Sequence, residues 1–93
     1  MQFDWHEAKR ISNLDKHGFD SRHAYEFFTD SDMMVLQAVK NGEIRQIGIG
    51  NFRGRFCTVV FVFRAGAVRL ISWRRSREKE IKAYHQAHEQ QGT

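Results

Sequence analysis

Ninety-three residues are expected to form a single domain over 1–93, near the lower limit of what folds without disulfides or a structural metal. One cysteine, Cys57, sits inside an apolar run; it excludes a disulfide framework and reads as a packed small hydrophobe rather than a nucleophile. The net charge of +4 is unevenly spread: residues 1–44 carry 5 Lys/Arg against 8 acids, whereas residues 45–93 carry 10 against 3. Nine of those ten fall between Arg45 and Lys79, and eight of the nine are arginines. Arginine presents a planar fork of donors that matches phosphate, so this half favours an anionic partner. A highly charged surface that serves only solubility is the plainer alternative. Met1 to Lys9 carries charges and has no apolar core of a leader peptide. No apolar run approaches the ~20 residues that span a bilayer. A cytoplasmic chain with no membrane partner is therefore expected.

In chain order, Met1 to Trp5 alternates and predicts a short first strand. The Asp4-x-x-Glu7 spacing predicts a capping box for a helix over His6 to His17. Its apolar stripe would be Ala8, Ile11 and Leu14, and Lys16-His17-Gly18 would close it. A second helix is predicted from an Asp20 cap to Thr29, burying Ala24, Phe27 and Phe28, with a turn at Asp30-Ser31-Asp32. Met33 to Val39 reads as an apolar strand ended by the hairpin signal Asn41-Gly42. Ile44 to Gly50 returns, Asn51 to Gly54 turns, and Arg55 to Arg64 is the longest strand, apolar on both faces and therefore central. Ala65-Gly66 turns into Val68 to Trp73, and the helical pattern resumes near Arg75, with a frayed tail over Glu89 to Thr93. The order β-α-α-β-β-β-β-α is that of an α+β fold, a mostly antiparallel sheet with two N-terminal helices and a C-terminal one.

Several side chains can carry chemistry. Strand alternation places Arg69 and Ile71 on one face with Trp73, and Ser72 and Arg74 on the other. Arg64 and Arg69 are expected to face each other across the Ala65-Gly66 hairpin, with Arg45 and Arg55 adding guanidiniums at strand ends and Arg75 and Arg77 following Arg74. Such a cluster neutralises phosphates and stabilises a pentavalent phosphoryl intermediate; otherwise it is a solvated rim paired with Glu78 and Glu80. His17 is the acid–base candidate, although Lys-His-Gly also suits a helix C-terminus. His85 and His88 lack a matching carboxylate, so no metal is expected. Gly48 and Gly50 read as a bulged strand rather than a nucleotide-binding turn. Phe52 and Trp73 are candidates to stack on bases, or to pack in the core.

The chain resembles the BrnT family of type II toxins from end to end. The matching residues are Phe3 and Trp5 with Lys9 and Asn13, Lys16-His17-Gly18, Ala24 with Phe27-Phe28 and Asp30. They continue through Gly42-Glu43-Ile44-Arg45, Gly48, Arg55, Val60, Arg64, Arg69-Leu70-Ile71-Ser72 and Arg74, to Glu78 or Glu80 with Tyr84. It departs at His6, where the family usually has Asp, at Ser21, where an aromatic is common, and in Phe61-Val62-Phe63-Arg64, which lacks a frequent tyrosine. The resemblance implies a RelE-like fold and a metal-independent, cofactor-free ribonuclease that stops translation. It implies neutralisation by a BrnA-like antitoxin, with operator DNA met only through that antitoxin. It places Arg64 and Arg74 in the active centre. The expected catalytic set is His17, Arg64 and Arg74, and Lys16, Arg45, Arg55, Arg69 and Arg75 are expected to bind RNA. The alternative is a non-catalytic nucleic-acid-binding module or operon co-repressor.

Overall fold

The computed structural model describes residues 1–91. Strand β1 (Phe3–Trp5) leads to helix α1 (Glu7–His17), a 3-10 turn (Ser21–His23) and helix α2 (Ala24–Asp30). Four strands follow, β2 (Met34–Lys40), β3 (Glu43–Phe52), β4 (Arg55–Arg64) and β5 (Ala67–Arg75), and then helix α3 (Glu78–Gln91). The sheet order is β1-β5-β4-β3-β2; β1 runs parallel to β5 and every other pair is antiparallel. The mixed α+β order matches the sequence pattern, and β4 is central as its two apolar faces require.

Tight hairpins set the register. Asn41-Gly42, Arg53-Gly54 and Ala65-Gly66 all have positive φ at both positions, the primed turn that matches strand twist. The second is tighter than its sequence predicts: β3 runs on through Asn51 to Phe52, because Phe52 is buried in the core (5% exposed).

One sheet face carries Cys57, Val59 and Phe61 of β4 with Trp73, Leu70 and Val68 of β5. The 3-10 turn and α2 close over it. Trp73 is fully buried, stacked on Phe27 at 5.2 Å and on Phe19 at 5.5 Å, and Phe28 meets Phe61 edge-on at 5.0 Å. Trp73 and Phe52 are therefore core residues and unavailable to bases. Gly48 and Gly50 pair regularly with Val59 and Cys57, without a bulge. They are glycines because a Cβ at Gly50 would press on the Phe27 ring at 3.1 Å, and one at Gly48 would collide with Met33. Burial pushes the Cys57 thiol up to about 11, in keeping with a packed, inert cysteine.

The N-terminal helices depart from the pattern in three places. The cap of α1 is His6, with no side-chain bond, while Asp4 accepts from the Trp5 N–H and the Glu7 carboxylate is engaged by the Trp5 indole and Arg10. No capping box forms. The Ala8, Ile11 and Leu14 stripe faces outward, and α1 lies against β5 on a polar side where Arg10, Asn13 and His17 are half-buried. Asp20 caps a 3-10 turn before α2 rather than α2 itself, accepting from the Arg22 N–H. At the other end α3 remains helical through Gln91, so the frayed tail is not seen over Glu89 to Gln91; Gly92 and Thr93 lie outside the described residues. Among the described residues, no helix is long and apolar enough to cross a membrane.

Candidate nucleic-acid interface

The other sheet face carries the arginines. Thr58, Val60, Val62 and Arg64 of β4 point there, opposite Arg74, Ser72, Arg69 and Ala67 of β5. The pairing Val60↔Ser72 is followed by Phe61↔Leu70, so Ile71 is an extra residue, a β-bulge. A bulge flips the alternation of the strand beyond it. Arg69 therefore leaves the face of Trp73 and joins that of Arg74, the reverse of the period-two expectation. On β3 the same face carries Glu43, Arg45, Ile47 and Ile49, and on β2 it carries Leu36.

Arg45, Arg64 and Arg69 surround Val62. Arg69 pairs with Val62 in the ladder, and Arg45 stands beside it when the Gln46↔Phe61 register is extended by one residue. Val62 is 3% exposed, and Arg45, Arg64 and Arg69 are rooted around it, where their long apolar stems are placed to cover it. Adjacent strands are about 4.8 Å apart, so two guanidiniums rooted on either side of β4 can close on one phosphate. Arg64 and Arg69 are diagonal, because Arg64 pairs with Ala67.

Acids already occupy these cations. Asp4 Oδ2 lies 2.7 Å from Arg69 Nη1. The Glu43 carboxylate bridges two arginines, with Oε1 3.5 Å from Arg45 Nε and Oε2 3.4 Å from Arg64 Nη2. These last contacts are long, and among the described residues Arg45 Nε is buried with no hydrogen-bond partner. A buried, unsatisfied donor of this kind suits an incoming anion.

Arg74 stands apart. It pairs with Thr58, six residues along β4 from Arg64, or roughly 20 Å at strand rise. Its fork grips Glu80, Nη1 on Oε1 at 2.9 Å and Nη2 on Oε2 at 3.0 Å. Glu80, 9% exposed, also accepts from the Arg77 N–H at 2.7 Å and the Thr58 hydroxyl at 3.1 Å. Burial works to raise its carboxyl, but the Arg74 fork, the Arg77 N–H and Thr58 outweigh it and hold it at about 2. The pair forms one wall of a cleft of about 350 Å³ beneath α3, lined by Leu36, Ile47 and Ile49 together with Arg74, Arg77 and Lys79.

The remaining predicted residues gather at the opposite end of β4. Arg55 Nη2 donates to the Gly18 carbonyl at 3.1 Å, and its guanidinium lies 4.3 Å over the Phe19 ring. Lys16 and His17 are the last turn of α1, ending in a left-handed Gly18 (φ 76°), as their helix-terminus reading requires. Arg55 and Arg75 share a shallow cleft of about 370 Å³. Arg55 and Arg64 are the two ends of β4, nine residues and about 30 Å apart, so His17 does not stand beside Arg64, Arg69 or Arg45. His85 packs its ring on Phe56, and His88 bonds to Asp32.

The chain is a small α+β domain with an aromatic core under one sheet face and guanidiniums from three strands on the other. A family model described as the ribonuclease toxin BrnT of type II toxin–antitoxin systems matches residues 5–80. The chain belongs to that family, whose members are ribonuclease toxins with a protein antitoxin as partner. No curated protein shows significant similarity to the chain. Arg74 pairs with Glu80, as the solvated-rim alternative expects, whereas the contacts of Glu43 with Arg45 and Arg64 were not singled out from side-chain chemistry. The signals of the two acids are spacings: Glu43 and Arg45 two apart on one strand face, and Arg77-x-x-Glu80 at a helix start.

Proposed function

We propose that this toxin cleaves RNA on the open arginine face, with the reacting phosphate held around Val62 by Arg45, Arg64 and Arg69. The observation that carries the reading is the bulge at Ile71, which brings Arg69 onto the face of Arg45 and Arg64. RNA cleavage without a metal needs only the neighbouring 2′-hydroxyl as nucleophile, cations for the pentavalent phosphorane, and proton carriers. Guanidiniums rooted on a sheet supply the cations once phosphate has displaced the acids paired with them. Arg74 contributes from the wall of the cleft beneath α3, where the apolar floor of Leu36, Ile47 and Ile49 accepts a base flanking the scissile bond. Lys16, Arg55 and Arg75 hold RNA further along its backbone, and His17 serves that outer contact rather than proton transfer at the arginine row.

The toxin acts in the cytoplasm on RNA, and its partner is a BrnA-like antitoxin through which alone it meets operator DNA. Exposed apolar residues support a protein-binding surface. Val39, Ile44 and Phe63 are 72%, 57% and 70% exposed on the helix-facing side of the sheet, and Ile11 and Leu14 lie on α1.

The test is cleavage of an end-labelled messenger in a cell-free translation extract, which offers both free and ribosome-bound RNA. Arg45→Ala with Arg69→Ala should lower the rate by about a hundredfold or more, the usual cost of losing transition-state donors. Arg64→Ala with Arg74→Ala should also lower it. Wild-type rates in both double variants would overturn the reading, and RNA binding by wild type without cleavage would favour a co-repressor.

A further inference from the structure

Among the described residues, no histidine makes a hydrogen bond or ion pair with Arg45, Arg64 or Arg69. His17 is at the far end of β4, and His85 lies on Phe56, six residues from Val62 or roughly 20 Å away. The groups already in contact with the arginines of this face are carboxylates, Asp4, Glu43 and Glu80, and a carboxylate can accept the 2′-hydroxyl proton.

Glu80 is saturated, and Asp4 is held by a short contact. Asp4 is committed through both oxygens, Oδ1 to the Trp5 N–H at 2.9 Å and Oδ2 to Arg69 at 2.7 Å. Glu80 is buried and accepts four hydrogen bonds from Arg74, Arg77 and Thr58. The Glu43 side chain is less exposed than that of Asp4, 42% against 57%, but it is held more loosely, through the long contacts at 3.4 and 3.5 Å. It also touches two of the three guanidiniums around Val62, so a phosphate displacing it from Arg45 and Arg64 leaves the carboxylate within one ribose of the phosphorus.

Resting on the reading of the arginine face as the cleavage site, we propose that Glu43 is the general base of the reaction. Phosphate binding takes Arg45 and Arg64 from Glu43, and the released carboxylate turns to the adjacent 2′-hydroxyl. Glu43 removes that proton as the 2′-oxygen bonds to phosphorus. The bond from phosphorus to the 5′-oxygen breaks, the 5′-oxygen takes a proton from water, and Glu43 returns its own to solvent. The products are a 2′,3′-cyclic phosphate and a 5′-hydroxyl.

Glu43→Gln preserves shape and hydrogen bonding to the arginines and removes the basicity. In the translation-extract assay it should slow cleavage at least about a hundredfold. Binding of fully 2′-O-methylated RNA, which cannot be cleaved, should stay within about threefold of wild type or tighten, since a competing negative charge is gone. Glu43→Asp should recover part of the rate and Glu43→Ala none. A Glu43→Gln protein that cleaves within about threefold of wild type, or loses cleavage and binding in parallel, would overturn the assignment. If Arg45→Ala with Arg69→Ala abolishes cleavage while Glu43→Gln does not, the base is wrong and the site stands. If neither variant matters, or wild type leaves the messenger intact, the site itself fails.

Discussion

Arg74 and Glu80 show how one residue can read as catalytic in sequence and act first as structure. The guanidinium fork ties β5 to α3, and the same carboxylate reaches back to the Arg77 N–H. That return bond is the Glu half of a capping box, satisfying a donor that a helix start leaves open. Removing Arg74 alone strands a buried carboxylate, and broken buried pairs cost several kcal/mol. Arg74→Ala should therefore destabilise the fold by about 3 kcal/mol, read as a lower urea midpoint. Arg74→Met with Glu80→Gln, which leaves no charge and keeps the cap, should lose about 1 kcal/mol or less. The pair also sets an acid limit. Glu80 is held at about 2 against an ordinary 4.5, and Asp20 at about 2 against 3.8, first through its hydrogen bond from the Arg22 side chain. A depressed folded value contributes stability that is complete above the unfolded value and is lost as pH falls toward the folded one. Unfolding should therefore set in below pH 4.5 and deepen toward pH 2. Glu80→Gln should flatten that slope in circular-dichroism titrations.

Helix α3 is fastened at its far end by His88. Its Nε2 lies 2.8 Å from Asp32 Oδ2 and its Nδ1 2.8 Å from the Tyr84 carbonyl oxygen. Both partners are acceptors, so a ring satisfied on both sides is the imidazolium. These contacts, the Tyr84 carbonyl first, raise the pKa from its ordinary 6.5. A raised folded value gives stability that is complete below pH 6.5 and lost as pH climbs through the folded value. The melting temperature should accordingly fall as pH rises above 6.5, and His88→Gln should be less stable at pH 6 and lose that pH dependence. Element order was legible in sequence because hairpin signals and apolar runs coincide: Asn41-Gly42, and the two-faced run from Arg55 to Arg64. Two features were not legible. The bulge at Ile71 leaves no local mark, since Arg69 to Trp73 alternates well enough in either register, and that hidden residue decides which arginines meet. The stripe of α1 looks like a core face, yet β5 is already covered by Phe19, Phe27 and Trp5, so Ala8, Ile11 and Leu14 remain outside.

Across the whole molecule the two sheet faces divide the labour, and charge follows that division. The side covered by α2 holds the aromatic core, and α3 lies over part of the other. The other side carries Val62 with Arg45, Arg64 and Arg69 rooted around it. The bulk charge of +4 does not measure the charge that binds: seven of the ten arginines pair with acids, and those around Val62 bind by exchanging Glu43 and Asp4 for phosphate, whereas Arg74 is held by the buried Glu80. The salt dependence of RNA binding counts the phosphates neutralised, with a slope near −0.7 per contact for single strands. If the three arginines around Val62 each meet a phosphate, the logarithm of affinity for a short 2′-O-methylated RNA should fall against the logarithm of salt with a slope of about −2. Arg45→Ala with Arg69→Ala should reduce that slope to about −0.7. Arg74→Met with Glu80→Gln, which removes a cation and an anion together, should leave the slope close to wild type, because Arg74 meets RNA only as a neutral pair. A slope steeper than about −4 would mean that Lys16, Arg55 and Arg75 hold the same strand at once. Fluorescence anisotropy across a salt series therefore tells whether one strand crosses the arginine row alone or continues to the opposite end of β4, about 30 Å away.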